Sequence, residues 1–135
     1  MFAPEFVKSG FGWGTDPNGI ELGGYGLRLN APDMTKIGEL YRRDGVWNGR
    51  QIVPADWIQQ STSPSTRNEG YGLLWWIIGE PEGAGYYAHG RGGQRIIVLP
   101  KSRAVIVYLS DVQVGSAIDD NDMEPLENVF VAAFP

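Results

Sequence analysis

Residues 94–109, which read QRIIVLPKSRAVIVYL, decide the fold class of this chain. Two runs rich in β-branched residues, Gln94–Leu99 and Ala104–Leu109, flank the link Pro100–Arg103. Such residues favour strands, and the link is short enough to close a hairpin. The sequence therefore predicts two antiparallel strands that are neighbours in one sheet.

Two further segments extend this pattern. Tyr71–Ile78, which reads YGLLWWII, is dense in aromatic and branched residues and predicts a third strand. Glu124–Phe134 has apolar residues at helical spacing, so we expect a terminal helix that packs on the sheet. Those apolar residues are Leu126, Val129, Phe130 and Ala133. The predicted class is α+β, with antiparallel strands and flanking helices.

The first half of the chain predicts one clear helix. Asn30 can cap it, Pro32 suits its first turn, Asp33 favours the positive helix end, and Asp44-Gly45 ends it. Its apolar face consists of Met34, Ile37, Leu40 and Tyr41.

Shorter elements are predicted before and after this helix. Asn48-Gly49, between the extended pieces of Val46–Ile52, predicts a two-residue hairpin turn, and Pro54 opens a short helix. Ser61–Gly70 is polar and predicts an exposed loop. Residues 1–30 are rich in glycine and proline and have no sustained period, so we expect a long loop there.

Composition excludes several classes of function. The 135-residue chain has a formal net charge of −5, and its basic residues form no stripe that could follow a phosphate backbone. Its apolar runs, such as Leu73–Ile78, are far shorter than the roughly 20 residues of a membrane-spanning helix. Cysteine is absent, so disulfides and thiolate metal sites are excluded. We expect no nucleic-acid partner and no membrane span.

The only histidine, His89, lies in the glycine-rich segment Gly85–Gln94. Gly90, Gly92 and Gly93 allow backbone to approach a ligand, and consecutive N–H groups there could receive an anion or an oxyanion. The simpler alternative is a glycine-rich turn with a partly exposed histidine. This segment is not a phosphate-binding loop, because no Gly-Lys-Ser/Thr follows it.

Two other residue groups have simpler explanations. The acidic run Asp119, Asp120, Asp122 and Glu124 lacks the spacing of a calcium loop and predicts a solvated turn before a helix. The five tryptophans could include a sugar-stacking face, but Trp75 and Trp76 are adjacent, so in a strand at least one belongs to the core. We expect neither a metal nor a cofactor.

An ordered set of segments resembles the C-terminal part of the serine β-lactamase-like superfamily, which has a β-lactamase/transpeptidase-like fold. The branch that it resembles is the class C β-lactamase-related hydrolases, which include esterases, D-aminopeptidases and 6-aminohexanoate-dimer hydrolases. The segments that carry the resemblance are Gly23–Leu27, Ala31–Met34, Gly45–Val53, Tyr71–Trp76, His89–Gln94 and Val98–Pro100.

This resemblance implies a serine hydrolase that works through an acyl-enzyme. In the family, Ser-x-x-Lys supplies nucleophile and base, Tyr-x-Asn or Ser-x-Asn transfers a proton, and a Lys-Thr-Gly-like third motif lines the pocket. His89-Gly90-Arg91-Gly92 stands at the place of the third motif, with His89 roughly at the position of the lysine. A backbone N–H around Arg91 or Gly92 would be one oxyanion donor.

The chain departs from the family pattern in its first two motifs. Its lysines, at positions 8, 36 and 101, follow Glu5, Asp33 and Val98 by three places, so Ser-x-x-Lys is absent. Neither Tyr-x-Asn nor Ser-x-Asn occurs. We therefore expect a single partial domain, with loops and helices over 1–70 and strands plus a helix over 71–135, that lacks the N-terminal part bearing Ser-x-x-Lys.

Such a fragment should be inactive alone, whereas the complete enzyme would act on a small-molecule ester, amide or lactam. Its incomplete sheet could self-associate through an exposed edge. The alternative is a non-catalytic module of the same fold that binds a peptide or a carbohydrate. A Ser-x-x-Lys motif upstream in the parent gene would favour the first hypothesis.

Overall fold

The computed structural model describes residues 12–79, 83–110 and 124–134, the last range by its backbone alone up to residue 128. Three helices and eight strands lie in these ranges, and the architecture is α+β with antiparallel sheets. The helices are α1 (Ala31–Arg42), α2 (Ala55–Ser61) and α3 (Glu124–Ala133). The strands are β1 (Gly12–Trp13), β2 (Leu27–Arg28), β3 (Val46–Trp47), β4 (Arg50–Gln51), β5 (Trp76–Ile78), β6 (Gly85–Gly90), β7 (Gln94–Leu99) and β8 (Ala104–Tyr108).

The main sheet has four strands in the order β5-β6-β7-β8, all antiparallel to their neighbours. The predicted hairpin of β7 and β8 is confirmed, with Ile97 opposite Ile106. On the other side of β7, Ile97 lies opposite Tyr87 of β6, which itself lies opposite Trp76 of β5. This register fixes which side chains share a face.

Each face of the sheet carries an apolar cluster. On one face Trp75, Tyr86, Ile96 and Val98 pack with residues of α1. On the other face Ile78, Ala84, Ile97 and Leu99 pack with Phe130 and Val131 of α3. Alternation of side chains along β6 and β7 supplies both clusters, so the sheet is a central layer between two helices.

The predictions for α1 are confirmed. The side-chain oxygen of Asn30 accepts a hydrogen bond of 2.8 Å from the backbone N–H of Asp33, which satisfies one free donor of the first turn. After the helix, Asp44 and Gly45 have positive φ values of 51° and 81°. Along the predicted apolar face Leu40 is buried, and Met34, Ile37 and Tyr41 pack against the clusters.

The two-residue hairpin and the short helix of the first half are confirmed as well. Asn48 and Gly49 have φ values of 48° and 75°, as a turn that matches strand twist requires, and they join β3 to β4. Helix α2 begins directly after Pro54 and buries Ile58.

The expected long loop over residues 1–30 is wrong for its described part. Strands β1 and β2 pair there, and the N–H of Gly14 donates to the carbonyl of Gly26 at 3.0 Å. The N–H of Leu22 in turn donates to the carbonyl of Gly14 at 2.9 Å. Glycines interrupt the hydrophobic period of this segment, but its backbone hydrogen bonds still form a ladder.

The strand predicted over Tyr71–Ile78 is too long. Only Trp76–Ile78 is strand, because Leu74 has a positive φ of 67° and Leu73 donates its N–H to the carbonyl of Ser61 at 2.9 Å. Gly72 lies so close to this carbonyl that a Cβ would come within 2.2 Å of it. The contact with the end of α2 therefore bends residues 71–75 into a turn.

The remaining predictions concern the packing of α3, the acidic run before it and the absence of a membrane-spanning helix. Val129 (59% exposed) and Ala133 point to solvent, and the contacts of α3 with the sheet come from Phe130 and Val131, so the predicted packing face was partly wrong. Asp119, Asp120 and Asp122 lie outside the described residues, and Glu124 is described by its backbone only. Within the described ranges, every helix is too short or too polar to cross a bilayer.

Candidate functional site

His89 is the fifth of the six residues of β6. It therefore lies in a strand, whereas the simpler alternative had placed it in a glycine-rich turn. It lies opposite Arg95, and Gly90 lies opposite Gln94. Arg91, Gly92 and Gly93 form the turn from β6 to β7. The four predicted site residues therefore stand at one end of the sheet, half-buried at His89, Gly90 and Gly92 and exposed at Arg91.

The turn after His89 has a defined conformation. Gly92 and Gly93 have φ values of 82° and 86°, which side chains other than glycine rarely adopt. Hydrogen bonds tie the turn to the end of β8: the side-chain amide of Gln94 donates to the carbonyl of Ser110 at 2.7 Å, and the Ser110 hydroxyl donates to the carbonyl of Gly92. The N–H groups around Arg91 and Gly92 are thus held in fixed positions.

The strand that carries His89 extends past its neighbour. β5 pairs with Gly85–Tyr87 and begins at Trp76, so Ala88, His89 and Gly90 continue beyond it. The residues before β5 bend away into the turn described above. The site therefore lies at a corner of the sheet where β6, and not β5, forms the border.

Strand alternation assigns His89 to one face. Ala88 packs against the cluster that contains Trp75, so His89 belongs to the opposite face, together with Tyr87. Trp75 is 5% exposed and packs on Tyr41 and Tyr86, with ring centroids 4.5 Å and 5.2 Å away. The expectation that one of the two adjacent tryptophans belongs to the core is confirmed for Trp75.

An aromatic row that sequence reasoning missed lies on the His89 face. Trp76 meets Tyr71 edge-on, with ring centroids 4.8 Å apart, and stacks on Tyr87 at 6.3 Å. The guanidinium of the buried Arg95 lies 5.7 Å from the centre of the Tyr87 ring. The alternation of Tyr87 and His89 could have indicated this row, had Gly85–Gly90 been recognised as a strand.

The described residues offer no group of three or more histidine, cysteine or acidic side chains that could hold a metal ion. The groups that the site can use are therefore an imidazole, backbone N–H donors, a guanidinium at Arg91 and the aromatic row. These groups can bind and polarise a carbonyl compound. A nucleophile paired with a base is not among them.

Similarity to known proteins is found among solved structures. No family model matches the chain, and no curated protein matches it. Among solved structures, the chain is similar to one named "Putative 6-aminohexanoate-dimer hydrolase from Bacillus anthracis", with 26% sequence identity and a TM-score of 0.66. The match covers 89% of this chain and 32% of that protein, so the chain spans about a third of its relative's length.

This likeness agrees with the predicted fold class. The chain has the α+β fold of the C-terminal portion of β-lactamase-like proteins, and its structural relative is a hydrolase by name. The finding supports the superfamily and no finer branch.

Proposed function

We propose that this chain forms the third-motif side of the active site of a β-lactamase-like serine hydrolase. The complete protein would hydrolyse a small-molecule ester, amide or lactam through an acyl-enzyme. The observation that carries the proposal is the structural likeness to a protein named as a hydrolase, which covers 89% of this chain. The position of His89 beside a fixed glycine turn at the sheet corner supports it.

The proposed mechanism assigns a role to each part of the turn. A serine that the complete protein would supply from outside this chain attacks the substrate carbonyl, and its proton passes to the neighbouring lysine. An N–H at Arg91 or Gly92 donates to the oxyanion that forms on the carbonyl oxygen. His89 makes a polar contact with the substrate, and Gly90 lets the substrate approach the strand closely. The oxyanion then collapses and the scissile bond breaks, and the lysine returns its proton to the departing alcohol or amine, which leaves the acyl-enzyme. Water hydrolyses this ester, releasing the acid and restoring the serine.

The first test is the activity of the chain alone. Without a nucleophile, only binding and part of the oxyanion stabilisation remain, so we expect no hydrolysis of nitrocefin or p-nitrophenyl acetate above background. Turnover by the purified chain that a serine-directed acylating reagent abolishes would contradict the proposal.

The second test uses the parent gene. We expect Ser-x-x-Lys within a few hundred residues upstream, and we expect serine-to-alanine substitution in that motif to abolish hydrolysis by the longer polypeptide. A parent reading frame without this motif would contradict the hydrolase proposal and leave the binding module.

The binding module remains a second candidate because of the aromatic row. Trp76 is 39% exposed between Tyr71 and Tyr87, and flat aromatic faces stack on sugar rings and peptide side chains. Titration with a soluble oligosaccharide or peptide, followed by tryptophan fluorescence, tests this function. Trp76→Ala should abolish the signal, and Trp57→Ala is the matched control, since Trp57 is 45% exposed on α2.

A further inference from the structure

A second feature of the molecule lies at the other end of the sheet. A cleft of about 480 Å³ opens where the end of α1, helix α2 and the start of β6 meet. Tyr86 is the second residue of β6 and Pro100 directly follows β7, so the cleft is at the end of these strands remote from the Arg91–Gly93 turn. The lining includes Tyr41, Arg42, Asp44, Asp56, Thr62 and Tyr86.

Tyr86 presents a polar group to this cleft from the core. The residue is 7% exposed, and its ring packs edge-on against Trp75 and Tyr41. Among the described residues its hydroxyl has no hydrogen-bond partner, and no fully buried polar side-chain atom there is left unsatisfied. Because it has no partner and yet is not among the fully buried polar atoms, the hydroxyl is open to solvent-filled space, and Tyr86 is a lining residue of the cleft.

The lining of the cleft has one cationic side chain, Arg42, and two carboxylates, Asp44 and Asp56, so its net charge is negative. Arg42 is engaged by Glu39, to which it donates two hydrogen bonds of 3.0 Å and 2.9 Å. The salt bridges of the described part of the chain use the carboxylates of Asp33 and Glu39, not those of Asp44 and Asp56. Burial, and next the charge of Asp44, raise the pKa of Tyr86, so its hydroxyl stays neutral.

Geometry distinguishes between kinds of cation. No three acidic or histidine side chains of the described ranges come close enough to hold a metal ion. The cleft instead combines separated carboxylates with the apolar surfaces of Ala55, Pro100 and Tyr41. Separated carboxylates and an apolar wall suit an ammonium group on a hydrocarbon chain better than a compact ion.

We propose that this cleft binds a primary alkylammonium ion, with the ammonium between Asp44, Asp56 and the Tyr86 hydroxyl and the hydrocarbon against Ala55 and Pro100. This site is independent of the proposed hydrolase function, because it shares no residue with the His89 turn. Its ligand class is a protonated amine, such as a short alkylamine.

The experiment is a titration of the ¹⁵N-labelled 135-residue chain with hexylammonium chloride at low ionic strength, followed by amide chemical shifts. We expect the shifts to concentrate at Asp44, Asp56 and Tyr86 and to leave Gly92 unchanged. 1-Hexanol tests the apolar wall alone and should bind at least about fivefold more weakly, and hexanoate should not bind. Added salt should weaken the binding of hexylammonium.

Two variants and a control test the assignment. Tyr86→Phe should weaken hexylammonium binding by about tenfold, the scale of one hydrogen bond to a charged group. Its melting temperature should not fall, since the hydroxyl has no partner to lose. Asp56→Asn, at an exposed position, should weaken binding by about fivefold, and Glu21→Gln, a surface carboxylate elsewhere, should have no effect.

Three results would overturn the proposal. They are equal binding of 1-hexanol, shifts spread over all acidic surfaces, or shifts at the cleft that Asp56→Asn leaves unchanged. Asp56→Asn decides the matter if Tyr86→Phe fails to fold.

Discussion

At the scale of single residues, His89 is the side chain whose substitution tests the hydrolase proposal most directly. In a complete parent enzyme, His89→Ala should lower kcat/KM by about 10- to 1,000-fold, the scale of one lost polar contact to the transition state. The melting temperature should change little, because His89 is only half-buried at the sheet corner. Unchanged kinetics with a lowered melting temperature would make His89 structural. Arg50→Ala, at an exposed position in β4, is the control.

The effect of adding a side chain at a glycine depends on its surroundings in the fold, as Gly85 and Gly79 show. A Cβ at Gly85 would lie 2.1 Å from the carbonyl oxygen of Val98, so β6 and β7 would have to separate, whereas nothing lies within 4 Å of a Cβ at Gly79. We expect Gly85→Ala to lower the free energy of unfolding by about 3 kcal/mol. Gly79→Ala should change it by less than about 0.5 kcal/mol. Urea denaturation measures both, and equal values would show that β6 can shift freely.

At the scale of elements, α1 should give the chain part of its acid sensitivity. Hydrogen bonds from Arg42, and then from Arg43, hold the pKa of Glu39 below its usual value of 4.5, against the opposing effect of burial. The Glu39 carboxylate binds a proton more readily in the unfolded chain than in the folded one. Its contribution to the free energy of unfolding is therefore full above about pH 4.5 and is lost as pH falls through the pKa of the folded state. Glu39→Gln should therefore flatten the stability curve below that pH. Urea midpoints between pH 3 and 7 measure this, with Glu21→Gln as the control for a lost surface charge; an unchanged acid limb would contradict it.

The elements also separate what the sequence could predict from what it could not. The cap at Asn30, the positive-φ pair Asp44-Gly45 and the Asn48-Gly49 turn act within a few residues, so α1 and the β3–β4 hairpin were predictable. Strand β6 was missed because glycines stand at both of its ends and conceal its alternation, although its partners β5 and β7 are its neighbours along the chain. The shortening of β5 depends on a hydrogen bond from Leu73 to Ser61, which no local pattern contains.

Part of the candidate site was also predictable from the sequence, and part was not. His89 was identifiable as the only histidine, in a glycine-rich segment. The row of Tyr71, Trp76 and Tyr87 depends on the strand register, and the Tyr86 cleft depends on where the ends of α1 and α2 meet the sheet. Alternation along β6 could have placed Tyr87 on the face of His89, but it could not have located Tyr71 beside Trp76, nor the cleft, because both depend on tertiary packing.

At the scale of the whole molecule, the sheet has an edge that could pair with another copy. Within the described ranges, β8 has a neighbouring strand on one side only, β7. Its sequence, AVIVY, contains no charge or proline, which are the residues that normally protect an edge from pairing. We therefore expect the chain to self-associate at tens of micromolar, with β8 of one copy beside β8 of another.

Light scattering and hydrogen exchange together test this expectation. The apparent mass should rise with concentration, and the amides of β8 should become better protected while those of β5, at the opposite edge, stay unchanged. Leu109→Lys places a charge directly after β8 and should shift association to higher concentration, whereas Leu73→Lys, at a similarly exposed position remote from this edge, should not. A compact monomer at tens of micromolar would indicate that β8 is already covered, and would count against a missing N-terminal part that completes the sheet.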